Sequence, residues 1–254
     1  EEVIEELRTL GRYVLFLDDR IAANRSYALE LFEKMIPLRK RWFSQCGIGI
    51  ADDPELLSVA ARSGCRGLFV GFESLSDDTL RANHKPRNMA AEYVSAVKRI
   101  HDAGIGVFAG FVFGWDNDTP EVFGKTLQFL HEARIDLLQA TILTPFPGTP
   151  LFALMERDGR ILSRDWRLYD FGHTVFEPAR MSTETLHNGH RWVQSQFYSS
   201  RAIAGRLVRG LGYLDLETVF TAGLTLNFGY RSRLGVKDVF REGRRFQQVA
   251  RSGG

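Results

Sequence analysis

Cysteine is scarce in this 254-residue chain, which contains only Cys46 and Cys65. Both lie in apolar or glycine-rich stretches, where a free thiol is typical of a packed core. A chain of this length buries a sufficient core without the dense disulfides of a small secreted domain. The cysteine content therefore favours two buried free thiols in a reducing compartment over a disulfide or a metal pair.

Long apolar runs and an excess of one charge sign are also missing. No stretch approaches the roughly 18–20 apolar residues that cross a bilayer. The first ten residues, EEVIEELRTL, are acidic and helical, unlike a basic and apolar signal peptide. The formal net charge is +2, which gives no electrostatic reason to expect nucleic acid binding. We therefore expect a cytoplasmic globular protein.

Short apolar runs alternate with amphipathic stretches along the first part of the chain. The apolar runs predict five strands, near 13–18, 42–50, 67–73, 105–114 and 136–144. Helical spacing of apolar residues predicts helices between them, such as 88–103 and 119–133. Repeated alternation of strand and helix favours a parallel sheet with right-handed crossovers. The predicted fold class is α/β: a partial, incomplete TIM-like βα barrel of parallel strands.

Polar side chains gather directly after the predicted strands. They are Asp18, Asp19, Glu73, Ser74, Asp116, Asp118 and Thr144. In a parallel barrel the carboxyl ends of the strands form the face that carries the active site. Because carboxylates are poor core material, these positions favour a ligand site; the alternative is that the same acids cap the following helices.

The pattern changes after residue 165, where helical spacing continues over 181–209 and 215–227 without strands. Residues 191–254 carry 11 Lys and Arg against 4 Asp and Glu, a local net charge of +7 (11 − 4). We predict a barrel domain over 1–165 and a mainly helical, basic C-terminal domain over 166–254. The basic residues are typical of a solvated face covering the barrel; the alternative is a surface that docks onto anionic lipid or an acidic partner.

Three stretches in a fixed order carry a family resemblance. They are WFSQCGIGIADDPELLSVAARSGCRGLFVGFES, GFVFGWDNDTPEVF and TILTPFPGTPLFALMERDGRI. Their order and spacing across roughly residues 1–165 resemble the radical S-adenosylmethionine (SAM) superfamily. More narrowly, the sequence resembles the class with a cobalamin-binding domain before the barrel, which includes hopanoid and lipid methylases and the anaerobic magnesium-protoporphyrin cyclase type. The residues after 165 resemble the C-terminal domain of that group.

The resemblance implies the cofactors and chemistry of an intact parent enzyme. These are SAM, a 4Fe–4S cluster that accepts electrons from a reductant protein, and cobalamin in the narrower class. The parent would cleave SAM reductively to a 5′-deoxyadenosyl radical and modify an unactivated carbon of a small-molecule or lipid substrate. Methylation is the outcome implied by cobalamin, and the basic tail suits an enzyme peripheral to the inner membrane.

The resemblance also assigns polar contacts to SAM at two strand ends. Asp18 and Asp19, in FLDDR, occupy the place of the motif that holds the methionine amino group, and an ammonium binds well to a carboxylate. Glu73 and Ser74, in GFES, take the place of the contacts to the ribose and the SAM carboxylate. The competing roles are a cap of the helix beginning near Asn24 for Asp19, and a solvated strand end for Glu73.

The following strand, AGFVFGW, corresponds to the glycine-rich run that packs along the adenine in the family. Gly110 and Gly114 would let the backbone approach the ring, because glycine has no side chain. Phe111 or Val112 would supply an apolar contact to the adenine.

The next strand would present its backbone, from Ile142 to Thr144, to the adenine edge. Gln45 occupies the family's third strand and would point toward the substrate. A buried glutamine satisfied by neighbouring polar groups is the alternative for Gln45.

The sequence departs from the family at the cluster. Radical SAM enzymes hold the cluster with three cysteine thiolates in a CxxxCxxC motif, and Cys46 and Cys65 cannot supply three. The chain also opens on a helix, whereas a βα barrel starts with a strand. We therefore expect a fragment truncated before the first barrel strand, with no catalytic residue or metal ligand of its own and inactive alone.

Two other hypotheses remain open at this point. One is a cluster-free homologue that acts as a binding or scaffold module. The other is a cluster-independent barrel enzyme that uses its carboxylates as acid and base.

Overall fold

The computed structural model describes residues 1–75 and 90–233. Its centre is a sheet of five parallel strands in the order β1–β2–β3–β4–β5, so strands that follow in sequence are neighbours in space. The strands are β1 (Tyr13–Leu15), β2 (Arg41–Gln45), β3 (Cys65–Glu73), β4 (Gly106–Phe113) and β5 (Leu137–Ile142). The sheet curls into an open half-barrel with helices on its convex side, which confirms the predicted partial TIM-like fold.

Two strands are shorter than the apolar runs predict. β1 ends at Leu15, and β2 ends at Gln45, after which Ile48–Asp52 forms a 3₁₀ turn. Glycine weakens a strand because it has no side chain to pack. Gly47 and Gly49 therefore end the second run in an apolar stretch that resembles a longer strand.

Helices follow the strands in turn. They are α1 (Glu2–Thr9), α2 (Arg25–Met35), α3 (Pro54–Arg62), α4 (Ala90–Asp102), α5 (Glu121–Glu132), α6 (Pro150–Arg157), α7 (Thr183–Phe197) and α8 (Ser200–Gly210). A further run, named here the 216–233 helix, joins α-helical Leu216–Thr218, π-helical Val219–Leu224 and α-helical Thr225–Arg233. The first residues of the predicted helix 88–103 lie outside the described residues. None of the described helices is long and apolar enough to cross a membrane.

The core lies between the sheet and the helices on its convex side. Phe72 of β3 stacks on Phe111 of β4 at 5.6 Å, and Phe129 of α5 packs edge-on against both rings. The alternate side chains of the same strands face the concave side, where Phe69 and Phe108 meet at 4.9 Å. Because side chains alternate along a strand, this division assigns the residues between the register shifts to one face or the other.

Side chains from α7 and its C-terminal end seal the outer edge of β5. The Tyr198 hydroxyl accepts from the Leu138 N–H (3.0 Å) and donates to the Leu138 carbonyl (2.7 Å). Nε2 of His190 lies 2.9 Å from the Ala140 carbonyl oxygen, to which Gln194 also donates (3.0 Å). These contacts satisfy backbone groups that an edge strand otherwise exposes to pairing with another chain.

The 216–233 helix lies at the amino ends of the strands and on the concave side. Asp215, which caps it, pairs with Arg41 of β2 (2.9 Å) and Arg66 of β3 (3.0 Å). Glu217 pairs with Arg41 at 2.8 Å, and Tyr230 packs edge-on against Phe108 of the concave face.

The part of 166–254 that the structure describes contains no strand and is largely helical. The helical spacing over 181–209 predicts one long helix, and this is wrong: Ser199 begins a new helix, whose first turn it caps by accepting from the Ala202 N–H (3.3 Å). The division of the chain into two domains at residue 165 stays a prediction. Residues 234–254 of the basic tail lie outside the described residues.

Candidate functional site

The predicted site residues lie along the carboxyl-terminal edge of the sheet. Asp18 and Asp19 follow β1, Gln45 ends β2, Glu73 ends β3 and Ser74 follows it. Neighbouring strands are about 4.8 Å apart, so β1 and β3 are separated by about 10 Å at this edge. The acids of two strands thus lie on one side of the molecule.

Asp18 and Asp19 are exposed in a loop that bends back over the end of β2. The Phe16 N–H donates to the Phe43 carbonyl (2.9 Å), and the Ile21 N–H donates to the Gln45 carbonyl (3.2 Å). The helix that follows is capped by Asn24, whose side-chain oxygen accepts from the Tyr27 N–H (3.1 Å). The cap of α2 is therefore Asn24 and not Asp19. Both carboxylates, of Asp18 and Asp19, face solvent beside the carboxyl-terminal edge of the sheet.

Glu73 has a left-handed backbone conformation with φ of 64°. The pairing between β3 and β4 shifts by one residue between Gly71 and Glu73, a bulge at the strand end. For a residue with a side chain this conformation costs on the order of 1 kcal/mol, and such strain concentrates at functional sites. At this strand end, the bulge changes the direction of the half-buried Glu73 carboxylate. Ser74, which follows, is buried.

Strand β4 divides the predicted adenine contacts between the two faces. The Phe111 ring is 2% exposed and packs among Phe72 and Phe129 on the convex side. A contact from Phe111 to a ligand inside the half-barrel is therefore excluded, whereas half-buried Val112 faces the concave side. Gly110 also faces that side, and a Cβ there would lie 2.8 Å from the Phe69 ring.

Backbone conformation and packing explain why residue 114 is a glycine. Its φ is +102°, and a Cβ at this position would lie 2.9 Å from Leu186 and 3.1 Å from Phe176. The carboxylate of Asp118 accepts from the Gly114 N–H (2.9 Å) and the Trp115 N–H (3.1 Å), which fixes the turn after β4. Burial raises the pKa of Asp118 to about 6, although both donors oppose the shift. Packing by α7 thus fills the space beside Gly114, where a cofactor was expected.

The end of β5 is tied into the surrounding loops. The Ile142 side chain is fully buried on the convex side, and its N–H donates to the Phe171 carbonyl (2.7 Å). The Thr144 hydroxyl donates to the Ile142 carbonyl (2.9 Å). The Ile142 N–H is therefore engaged within the protein and is not available to the adenine edge.

The two cysteines do not fit a 4Fe–4S cluster. Burial raises the pKa of Cys46 to about 11 and raises that of Cys65 further, so both remain protonated near neutral pH. A thiolate, not a thiol, is the metal ligand. Within residues 1–75 and 90–233, no three His, Cys, Asp or Glu side chains gather as a metal site.

The polar side chains that seal β5 were missed by the sequence reasoning. Burial lowers the pKa of His190 to about 4, against the opposing hydrogen bond to Ala140. His190 and Gln194 are four residues apart, which places them on one helix face. That spacing of polar residues inside an otherwise apolar stripe is the signal that could have identified them.

Comparison with known proteins places these features in a family. The sequence model of the radical SAM superfamily matches residues 1–130. Bacteriochlorophyllide d C-12(1)-methyltransferase of Chlorobaculum tepidum is 35% identical over 81% of this chain and 46% of that protein. Hopanoid C-2 methylase of Rhodopseudomonas palustris is 34% identical over 61% of this chain and 30% of that protein. The chain thus spans less than half the length of these two relatives.

Two solved structures share the fold. The radical SAM methyltransferase TsrM from Kitasatospora setae, with cobalamin and a [4Fe-4S] cluster bound, aligns with 96% of this chain and 54% of its own (TM-score 0.56, 16% identity). The cobalamin-dependent SAM radical enzyme OxsB, with aqua-cobalamin bound, aligns with 91% of this chain and 42% of its own (TM-score 0.57, 12% identity). With its family match over half of its length and this half-barrel, the chain belongs to the radical SAM superfamily.

Proposed function

We propose that this chain supplies the SAM-binding strand ends of a radical SAM enzyme that methylates an unactivated carbon of a hydrophobic substrate. The observation that carries the proposal is the re-aimed Glu73 carboxylate, held in a strained conformation at the edge that also presents Asp18 and Asp19. A bound SAM and cluster supply the radical chemistry. The protein binds and orients SAM and keeps water from the reacting carbon.

The polar groups at this edge, mainly hydrogen-bond acceptors, fit SAM. Asp18 and Asp19 offer carboxylates to the ammonium group of the methionine part. Glu73 accepts two hydrogen bonds without offering a donor, which suits paired ribose hydroxyls, and the Ser74 hydroxyl is adjacent. Gly110 and Val112 form the concave surface of β4 on which the adenine would lie. Gln45, exposed at the end of β2, would face the substrate.

The cluster ligands, in this proposal, belong to polypeptide outside these 254 residues. Support comes from the two protonated, buried cysteines and from the partial coverage of the relatives. Anaerobic reconstitution with iron and sulfide tests it on this chain and on a version extended to the length of the relatives. We expect cluster absorbance only for the extended protein, and Cys46→Ser should leave it unchanged.

Cluster assembly on the 254-residue chain would contradict the proposal. An extended protein with no CxxxCxxC and no cluster absorbance would favour a cluster-free homologue that acts as a binding or scaffold module.

Methylation and cobalamin are proposed from the relatives. Proteins named as methyltransferases or methylases match this chain, and OxsB and TsrM have been solved with cobalamin bound. The substrate of the hopanoid methylase is a lipid by name, which supports a hydrophobic substrate here. The test is incubation of the cluster-loaded extended protein with a reductant, a hydrophobic substrate and methyl-labelled SAM. We expect transfer of the label to the substrate. Cleavage of SAM without transfer of the label would remove methylation from the proposal.

An exposed apolar stripe supports a peripheral membrane contact. Leu216, Phe220, Leu224 and Phe228 recur every four residues along the 216–233 helix, and are 65%, 61%, 37% and 47% exposed. Val208 of α8 (68%) and Leu211 after it (48%) add to the exposed apolar surface of this segment. Exposed apolar side chains in this density are typical of surfaces that bind another molecule.

The charge around the stripe favours an anionic lipid surface as the occupant. The two acids of the segment, Asp215 and Glu217, are engaged by arginines of the sheet. Arg201, Arg209 and Arg233 are exposed, and none of them pairs with an acid among the described residues. Basic residues beside Leu and Phe are typical of helices that lie in a membrane interface.

Sedimentation with vesicles tests this contact. We expect binding to phosphatidylcholine vesicles that contain phosphatidylglycerol, weaker binding to phosphatidylcholine alone, and loss of binding in Phe220→Asp. Leu162→Asp is the control, because Leu162 is 54% exposed and lies outside the stripe. Equal sedimentation of both variants would contradict a contact through the stripe and favour cover by another protein segment.

A further inference from the structure

A cavity of about 230 Å³ lies between the concave face of the sheet and the 216–233 helix. It runs from the beginnings of β3 and β4, at Gly67 and Gly106, to the end of β2, at Gln45. Its lining is apolar on both sides, with Leu15, Leu17, Phe43, Phe69 and Phe108 from the sheet side and Leu214, Ala222 and Leu226 opposite them.

Glycines keep this space open. A Cβ at Gly67 would lie 2.6 Å from the Phe43 ring, and a Cβ at Gly110 would lie 2.8 Å from the Phe69 ring. Each ring therefore occupies space that a side chain at the glycine of the neighbouring strand would need. In a closed βα barrel, layers of branched side chains fill the corresponding interior. Here the glycines leave room for a ligand that larger residues would exclude.

The charged groups at the boundary of the cavity already have partners. Arg66 pairs with Asp215 at 3.0 Å. The Asp136 carboxylate accepts from the Val107 N–H (2.8 Å) and from the Tyr213 hydroxyl. Because burying an unpaired charge costs far more than burying an apolar group, these pairs leave the cavity suited to an uncharged ligand.

The wall opposite the sheet is unusual in its helix type. Val219–Leu224 is π-helical, a rare conformation that is frequent at functional sites. Ala222 and Gly223, within this turn, line the cavity with only a methyl group and bare backbone. Leu226, 38% exposed, and Leu17, 82% exposed, also line the cavity and give it an apolar opening to solvent.

We infer that this cavity binds the uncharged, hydrocarbon body of the substrate, and that the π-helical turn Val219–Leu224 is its wall. The assignment of the ligand as substrate rests on the proposed function. The binding of an uncharged apolar molecule does not depend on the proposed function, because such binding needs only the cavity. A body held there extends along the strands toward the edge that carries Gln45 and Glu73.

Titration of the 254-residue chain with N-phenyl-1-naphthylamine, an uncharged fluorescent probe, tests the inference. We expect saturable binding that Ala222→Phe weakens at least about tenfold, because the added ring fills the cavity. Ala204→Phe is the matched control, since Ala204 is exposed on α8 away from the cavity. A naphthalene that carries a carboxylate should bind at least about tenfold more weakly than the uncharged probe.

Equal probe binding by Ala222→Phe and Ala204→Phe would overturn the inference, as would equal binding of the two probes by the unchanged chain. If circular dichroism shows Ala222→Phe to be unfolded, the variants Gly67→Ala and Phe43→Ala test the inference instead. The first pushes a ring into the cavity and should weaken probe binding, and the second enlarges the cavity and should admit a bulkier uncharged probe. Unchanged binding in both would equally overturn it. Loss of SAM binding with intact probe binding would contradict the proposed function alone.

Discussion

Glu73 combines a functional carboxylate with a backbone conformation that glycine adopts at no cost. Its φ of 64° lies in the left-handed region, and the strand pairing shifts just before it. A residue chosen only for stability at this position would be glycine. The position therefore retains a side chain at a cost to stability, which is the pattern expected of a binding residue.

Comparison of Glu73→Ala with Glu73→Gly measures this strain. Both variants remove the carboxylate, and only alanine keeps a Cβ at positive φ, so we expect Glu73→Gly to be more stable by about 1 kcal/mol. Denaturant unfolding monitored by circular dichroism gives the difference. Alanine as stable as glycine would show that the backbone is unstrained.

His190 predicts a pH dependence of stability with a definite sign. Its pKa is lowered to about 4 in the fold, from about 6.5 when unfolded, so the unfolded state takes up the proton first. The stabilisation is complete above the unfolded pKa and is lost as pH falls toward 4. We expect up to about 2 kcal/mol of this loss between pH 7 and pH 5.

His190→Gln isolates that contribution, because glutamine can still donate to Ala140 and does not titrate. The raised pKa of Asp118 acts in the opposite direction over the same range, so the quantity to compare is the difference between the two proteins at each pH. A difference that stays constant from pH 7 to pH 5 would contradict a neutral, buried His190.

That acids follow the strands could be predicted from the sequence, but the ends of β1 and β2 and the direction of the side chains could not. Asp18, Asp19 and Glu73 stand out because acids stop apolar runs. Phe111 and Val112 are both apolar, and a one-residue uncertainty in register exchanges the two faces of a strand. Nothing in the sequence distinguished them.

At the scale of elements, the contact between α5 and α7 depends on a glycine. A Cβ at Gly189 of α7 would lie 2.2 Å from the Phe123 ring of α5, so the helices approach closely only without a side chain there. α7 in turn holds the side chains that seal β5. Sequence spacing predicted helices here, although the close approach of α5 and α7 has no local signal.

Gly189→Ala should destabilise the protein by about 2 kcal/mol, because the methyl group must displace a packed ring. Gly124→Ala in α5 is the matched control: no atom lies within 4 Å of a Cβ there, and alanine is the better helix former, so stability should rise by up to about 1 kcal/mol. Thermal unfolding of both variants measures the effects. Two shifts of the same sign would contradict the packing argument.

At the scale of the whole molecule, a cluster of ion pairs joins the C-terminal segment to the sheet. Asp215 pairs with Arg41 and Arg66, residues more than 140 positions away in the chain that occupy neighbouring strands. The sequence showed a basic, helical tail, but pairing over such separations follows from the three-dimensional arrangement and has no spacing to detect. The parallel sheet, in contrast, follows from local alternation of strand and helix, and the family resemblance implied its half-barrel form.

Asp215→Ala should release the 216–233 helix from the sheet while the sheet itself stays folded. We expect faster amide hydrogen exchange within 216–233 and unchanged exchange in β3 and β4, as for a locally opening unit. Asp165→Ala is the control, because among the described residues Asp165 pairs only with exposed Arg167 in its own turn. Equal exchange in the two variants would show that the ion pairs do not hold the helix.

Calorimetric titration of SAM into the cluster-loaded, extended protein tests the central claim most directly. We expect Glu73→Gln to lower SAM affinity at least about tenfold, since a charge-assisted hydrogen bond contributes on the order of 1.5–3 kcal/mol. Glu132→Gln, an exposed carboxylate on α5, should leave the affinity unchanged. Unchanged affinity in Glu73→Gln would contradict the assignment of this strand edge as the SAM site.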